Sequence, residues 1–474
     1  MRIFETKVQE LKYKVLMELA WHTWRGNDAF MVFNEIADEI VTKDEPPLMS
    51  CCIYKDRAIV AERIRIALGG NKNNPNVIQV IDIACDECPV AGHVVTDLCR
   101  GCVAHRCGDA CKLGAISFDS EQMAHIDKQK CVECGKCAKV CPYNAIVNFK
   151  RPCENACKVG AIHMAKTGEA EIDSDKCIAC GSCVWHCPFG ATLDVSSITH
   201  VIKEIMDSEN NEKFKVYAIV APAIAGQFKY AKPGQVITAI KEIGFYDVEE
   251  VALGADIVAY HEAAELKERG FMTSSCCPAF VKYIKSKFPT MVDHISENLS
   301  PMAETGRLIK EMDPNAKVVF IGPCTAKKSE VREPEVSKYV DYVLTFEELL
   351  ALIDSKDIEI EELPETELNT ASGFGRRFAK IGGVTEAVTQ AVKEQQIDDF
   401  EFNPIICDGI EKCKTALLRA SKGALPHNFI EGMACTGGCM RGAACISHGE
   451  ADIKAIEAYG SAAQFTEISH VVKK

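Results

Sequence analysis

The residues with the most chemistry in this chain are its 26 cysteines. Two blocks share one spacing. Cys131, Cys134, Cys137 and Cys141 form C-x2-C-x2-C-x3-C before Pro142, and Cys177, Cys180, Cys183 and Cys187 repeat it before Pro188. Three closely spaced thiolates can cap three irons of one 4Fe–4S cubane, while the fourth, held by the proline turn, points to a neighbouring cluster. A zinc site takes four ligands in two pairs and has no use for the third cysteine or the proline. Iron–sulfur chemistry is the expectation for both blocks.

The blocks sit in an internal repeat with an offset of 46 residues. Cys107, Cys111, Cys131, Cys134, Cys137 and Cys141 become Cys153, Cys157, Cys177, Cys180, Cys183 and Cys187, and CKLGAI at 111–116 recurs as CKVGAI at 157–162. An extra pair, Cys99 and Cys102, makes the first copy a complete two-cluster ferredoxin pattern. By the crossing rule, one cluster takes Cys99, Cys102, Cys107 and Cys141, and the other Cys111, Cys131, Cys134 and Cys137. In the second copy, Cys157 completes a set with Cys177, Cys180 and Cys183, which leaves Cys153 and Cys187 two ligands short. The nearest close pair is Cys85-x2-Cys88. The expectation is an outer ferredoxin split by insertion of the inner one between Cys88 and Cys153, with four accessory clusters. Three clusters, with Cys85 and Cys88 as structural thiols, is the alternative.

A second set of cysteines lies in FMTSSCCPAF (271–280), VFIGPCTAKKSE (319–330) and EGMACTGGCMRG (431–442). Spacing alone allows a plain 4Fe–4S site here. The three segments, in this order behind ferredoxin-type blocks, resemble the signature loops of FeFe-hydrogenases, over about residues 76–450 and closest to the compact monomeric subgroup. The resemblance implies an H-cluster, a 4Fe–4S cubane joined to a two-iron unit with CO, cyanide and azadithiolate. Its cubane ligands would be Cys277, Cys324, Cys435 and Cys439, with Cys439 bridging. Lys327 would hold a cyanide, and Pro222, Ala223 and Met433 would border the two-iron unit. Cys276 would pass protons to Glu262, Ser296, Glu265 and Arg269. A thiol near its reference value can relay protons, and Glu262, Glu265 and Arg269 fall on one face of a helix. An exposed Glu265–Arg269 ion pair is the plainer reading of that face. The sequence departs from the family at Ser275, Gly322, Ala223, Met302 and Ala443–Ala444, positions that bear on rate, bias and oxygen sensitivity. Lys328 is read as a solvated charge, Cys51 and Cys52 as partly buried thiols, and Cys407, Cys413 and Cys445 as structural thiols.

The elements that must hold these residues read as mixed α+β and α/β. Residues 1–75 carry helical patterns (VQELKYKVLMELAWHTW, DRAIVAERIRIALGG) and no recognisable chemistry, 76–200 hold the ferredoxin-like domains, and 201–474 form an α/β catalytic domain. There, strand-like runs at 216–221, 318–322 and 342–346 alternate with helical runs at 236–243, 278–288, 302–312 and 384–393. Sites in such sheets lie beyond the carboxyl ends of the strands.

With 54 Lys and Arg against 68 Asp and Glu, the chain is acidic, with a formal charge of −14, which argues against a general nucleic-acid binder. VYAIVAPAIAG (216–226) is too short to span a bilayer, and MRIFETKVQELKYK lacks the apolar core of a secretory leader. A cytoplasmic protein is therefore expected, with dense thiols serving metals rather than disulfides, and the resemblance implies an oxygen-sensitive enzyme. Residues 128–158 are locally basic: Lys128, Lys130, Lys136, Lys139, Lys150, Arg151 and Lys158 against Glu133 and Glu154. Such a face suits an acidic electron carrier such as ferredoxin. The resemblance implies protons and H2 as substrates and dedicated maturation enzymes. A low-turnover hydrogen sensor and an iron–sulfur electron-transfer protein without the two-iron unit are the competing functions.

Overall fold

The computed structural model describes residues 4–27, 33–44, 46–47, 50–86, 88–398 and 400–472. Two parallel sheets frame the C-terminal half. The larger runs in the order Asp247–Glu250, Val216–Val220, Lys317–Gly322, Tyr342–Thr345, with Lys317 opposite Val216 and Val319 opposite Tyr342. The smaller runs Met272–Thr273, Phe429–Met433, Pro404–Asp408. VYAIV and KVVFIG are near-continuous apolar runs, as parallel strands covered by helices on both faces require. The expected helices form as Pro233–Ile243, Pro278–Lys287, Pro301–Met312 and Gly383–Glu394. Proline opens three of them, where a missing N–H costs nothing, and the Ser300 hydroxyl caps the third by accepting from the Ala303 amide.

The iron–sulfur region is a nest of two-stranded antiparallel ladders. Ile116–Phe118 pairs with Ala124–Ile126, and Ile162–Met164 with Ala170–Ile172, the two hairpins of the repeat. Around the first, Gly92–Val95 pairs with Ile146–Phe149; around both, Ile78–Val80 pairs with Thr192–Asp194. The chain thus closes an inner unit inside an outer one.

The N-terminal helices join the same core. The helix Lys7–Trp24 packs against Phe346–Asp354 and Ile198–Asp207, and its Leu16 and Leu19 share an apolar cluster with Ile219 and Ile321 of the larger sheet. A buried ion network pins it. Lys12 contacts Asp194 and Glu347, each at 2.6 Å. Lys328 contacts Asp194 at 2.7 Å and Glu348 at 2.8 Å. The sequence reading of Lys328 as a solvated charge is therefore corrected: its side chain is 4% exposed, held by carboxylates that chain distance had hidden. Asp194, gripped by two ammonium groups against the cost of its burial, sits well below the usual carboxylate range. Cys51 is fully exposed rather than partly buried, while Cys52 is half-buried. No described helix is long and apolar enough to cross a membrane.

Candidate metal centre

The carboxyl ends of both sheets open onto one cavity of about 90 Å³. Pro222 follows the strand Val216–Val220, Cys324 follows Lys317–Gly322, Cys435 follows Phe429–Met433, and Cys276 and Cys277 follow Met272–Thr273. All of these line it, with Cys439, Lys327, Met302, Met433 and Phe320. Ala223 is buried in the turn Pro222–Gly226 but is not among the lining residues. Three apolar cores meet here: Cys439 packs on the first and third, and Cys277 on the second and third.

Local structure fixes each thiol. Cys277 caps the helix Pro278–Lys287, so its sulfur sits at a helix N-terminus, where amide dipoles favour negative charge. The turn from Cys435 to Cys439 needs its glycines. Gly437 and Gly438 have φ of 89° and 72°, and a Cβ on Gly438 would fall 2.9 Å from the Ala379 carbonyl oxygen. Gly322 makes room for Phe320, whose ring carbon would lie 2.5 Å from a Cβ there; a methionine at this position would displace the ring.

Burial pushes the Cys324 thiol up to about 11 and Cys439 up to about 12, with Cys277 adding to both, and it raises Cys435 further. Converging thiolates in a dry cavity repel one another and call for a polycationic partner. This donor set fits an iron–sulfur cubane. Lys327 is buried too. Burial alone would lower its pKa, but the Glu330 carboxylate at 2.6 Å, with Cys324 and Cys276, raises it, so the ammonium is a fixed cation. It also donates to Ser300 Oγ at 3.0 Å and to the Cys276 carbonyl oxygen at 3.4 Å.

A line of titratable groups leaves the cavity at Cys276. Its thiol is raised well above the ordinary value by burial and by Glu262. Glu262, on the helix Val251–Arg269, is fully buried, and neither of its carboxylate oxygens has a hydrogen-bond partner of good geometry among the described residues. Burial lifts it to about 8, moderated by the nearby Ser296 hydroxyl. Ser296 Oγ donates to Glu265 Oε2 at 2.9 Å, and Glu265 pairs with Arg269. Exposure grows outward, to 14% at the Glu265 side chain and 22% at Arg269. Sequence reasoning missed Asn298, whose amide donates to Glu265 Oε2 at 2.7 Å and to Ser296 Oγ at 3.2 Å. It also missed Glu431, fully buried in the strand Phe429–Met433 and held by Thr385 and the Gly382 amide. No sequence motif marks either.

The cysteines between Cys85 and Cys187 lie in neighbouring groups. Cys99, Cys102, Cys107 and Cys141 line one small cavity, and Cys111, Cys131, Cys134 and Cys137 another. The thiol of Cys183 lies within electrostatic reach of Cys157, Cys177 and Cys180 and also of Cys153, which is itself within reach of Cys85 and Cys187, with Cys88 likewise near Cys85 and Cys187. Cys180 also lines the main cavity, and Thr325, next to Cys324, donates to the Ala179 carbonyl at 2.7 Å. Arg151, counted in the basic face from sequence, is buried and turned inward onto backbone carbonyls, so that face is formed by the lysines alone. Cys407, Cys413 and Cys445 are buried.

Residues 214–443 match the family described as iron only hydrogenase large subunit, C-terminal domain, and residues 124–147 and 170–191 match the 4Fe-4S binding domain. The periplasmic Fe hydrogenase large subunit of Nitratidesulfovibrio vulgaris is 30% identical over 381 residues, covering 68% of this chain and 86% of that protein. This chain belongs to the iron-only hydrogenase family. Other members are matched over less of their length. Iron hydrogenase 1 of Clostridium pasteurianum is 29% identical over 256 residues, 44% of this chain and 45% of the relative. The chain is also similar to the cytosolic Fe-S cluster assembly factor NAR1 of Kluyveromyces lactis, 35% identical over 103 residues, 21% of this chain and 22% of that protein.

Proposed function

We propose that the protein is a hydrogenase that interconverts protons, electrons and H2 at an H-cluster, exchanging electrons with ferredoxin through four accessory 4Fe–4S clusters. The observation that carries this reading is the meeting, in one cavity, of Cys277, Cys324, Cys435 and Cys439 with Cys276, Lys327 and Met433. A plain cubane needs only the four thiolates. When bound, the two-iron unit would supply the redox-active metal chemistry for joining protons and electrons.

The chain's own residues do the rest. Cys277, Cys324 and Cys435 would hold the cubane, and Cys439 would be a ligand shared with the two-iron unit. Lys327, kept charged by Glu330, donates to an anionic diatomic ligand; a charge-assisted bond of this kind is worth about 1.5–3 kcal/mol. The Cys276 sulfur carries the proton nearest the reaction, and Glu262, raised close to neutrality, accepts and returns it. Ser296, Glu265 and Arg269 complete the route to solvent. Phe320, Met302 and Pro222 keep water out of the cavity.

Electrons enter by the inner ferredoxin unit and leave it toward Cys180, beside the cavity. Residues 1–75, 76–200 and 201–474 form the docked helical segment, the cluster domains and the catalytic domain. Maturation enzymes deliver the two-iron unit, which does not assemble from iron and sulfide alone. The many free thiols favour a cytoplasmic setting, although one relative is periplasmic.

The similarity to NAR1 favours one other reading, an iron–sulfur protein without the two-iron unit. Infrared spectroscopy separates the two. Protein produced with the maturation enzymes should show bands of bound CO and cyanide, and their absence would leave the assembly-factor reading in place.

A further inference from the structure

Two arginines are buried beside a single group of cysteines, and among the described residues neither has a carboxylate oxygen within 4.0 Å of its guanidinium. Arg151 is 2% exposed; its Nη2 donates to the Cys88 carbonyl at 3.1 Å, its Nε to the Pro89 carbonyl at 3.1 Å, and its Nη1 to Cys85 Sγ at 3.8 Å. Arg63 comes from the opposite side, on the helix Ile53–Ala67 of the N-terminal segment, and is also 2% exposed. Its Nη2 donates to the Phe189 carbonyl at 3.1 Å and presses on Gly190, where a Cβ would fall 2.6 Å from it. Its Nε and Nη1 have no hydrogen-bond partner among the described residues. The negative group within its electrostatic reach is Cys187.

A guanidinium does not lose its proton in a protein. Burying two of them without carboxylates is costly unless another anion shares the site. Asp194 and Glu348 line a small cavity with Arg63 but are already held by Lys12 and Lys328, and Glu169, within reach of Arg151, faces solvent; the anionic group that reaches both arginines is the cysteine set, Arg63 through Cys187 and Arg151 through Cys85 and Cys88. Four thiolates on a cubane leave an anionic cluster, and reduction adds one more negative charge. Cations fixed beside it therefore stabilise the reduced form more than the oxidised form, and net local charge is one of the terms that set a cluster's potential. The cations near the other accessory groups are Arg100 and Arg106 beside Cys99, Cys102, Cys107 and Cys141, Lys112, Lys128 and Lys136 beside Cys111, Cys131, Cys134 and Cys137, and Lys282 beside Cys177; all reach solvent and are screened.

We propose that Arg63 and Arg151 are the fixed counter-charges of the 4Fe–4S cluster held by Cys85, Cys88, Cys153 and Cys187, and that they make it the highest-potential accessory cluster, where an electron waits between the inner ferredoxin unit and the cluster nearest the cavity. This rests on the four-cluster reading above. It gives the N-terminal segment a task, which is to seal this cluster and insert a charge beside it. Arg63 and Arg151 are positioning residues that act through the cluster.

The test is an EPR-monitored redox titration of the full-length, cluster-loaded protein, with iron and sulfide counted on the same samples. The parent should show four accessory components, one titrating above the rest. In Arg63→Leu, that component alone should move to lower potential, so that its reduced-to-oxidised ratio at the parent midpoint falls at least tenfold, or 59 mV for one electron. Arg63→Lys should retain most of the parent value. Should Arg63→Leu lose iron, Arg151→Gln carries the same expectation. Full iron content with an unmoved midpoint, or an equal shift of every component, overturns the role of the arginines. A parent with only three accessory clusters overturns the four-cluster reading itself, and the iron count distinguishes the two failures.

Discussion

Replacing Glu262 with glutamine keeps the shape of the side chain and removes its proton. The carboxyl is fully buried, and burial lifts it from an ordinary 4.5 to about 8. At pH 7 it is therefore mostly protonated, and ionising it costs only about 1.4 kcal/mol, a tenfold population factor. It can pass a proton in either direction at neutral pH, which an ordinary carboxyl could not do as readily. Loss of such a group typically costs 10²–10⁴ in rate, so Glu262→Gln should slow H2 evolution from a reduced dye by about that factor while the CO and cyanide infrared bands stay intact. The same burial has a stability consequence with a fixed sign. A carboxyl raised in the folded state contributes stability that is complete below its unfolded value and lost as pH rises through about 8. A rise from 4.5 to about 8 corresponds to about 5 kcal/mol as an upper limit. Glutamine cannot ionise, so the variant escapes this loss. Because cluster release makes unfolding irreversible, the measurement is the half-life at fixed temperature. The parent's half-life should shorten between pH 6 and pH 9 more than the variant's does. Parent-level turnover in Glu262→Gln would remove the residue from the proton route. Parallel pH dependences would show that its carboxyl is not raised.

Cys276→Ser should keep the infrared signature and lose most turnover, because a hydroxyl is far less acidic than a thiol while the neighbouring Cys277 is untouched; parent-rate H2 evolution would rule out the relay role. Reversing the exposed Lys136 and Lys139 to Glu should raise the KM for ferredoxin and weaken its salt dependence, yet leave turnover with a small neutral dye unchanged; ferredoxin kinetics that ignore both the reversal and ionic strength would move electron entry elsewhere. Lys12→Met leaves Glu347 without its buried cation and Asp194 with Lys328 alone, and should cost about 3–5 kcal/mol, seen as a shortened half-life. The double variant Lys12→Met/Asp194→Asn should recover part of that loss, and strictly additive effects would show that the buried pair is not coupled.

What could be read from sequence, and what could not, divides along a physical line. Ligating a cubane demands short cysteine spacings, and a parallel strand buried on both faces demands an apolar run such as VVFIG, so both leave local marks. Charges leave none, because burial of a charge depends on a partner that topology supplies. Lys328 looked solvated only because Asp194 lies 134 residues away in the chain. Arg151 looked like part of a basic face because its acceptors, the Cys88 and Pro89 carbonyls, belong to the far side of an inserted domain. Asn298 and Glu431 escaped notice for the same reason: each is a single polar residue whose meaning comes from Glu265 or from the Gly382 turn. The N-terminal helices are the extreme case. They carry no motif, yet Lys12 answers two buried carboxylates and Arg63 faces a cysteine set completed some 120 residues later. A segment of this kind is understood from the charges it satisfies, because a buried anion without its cation would be among the most costly defects a fold can carry.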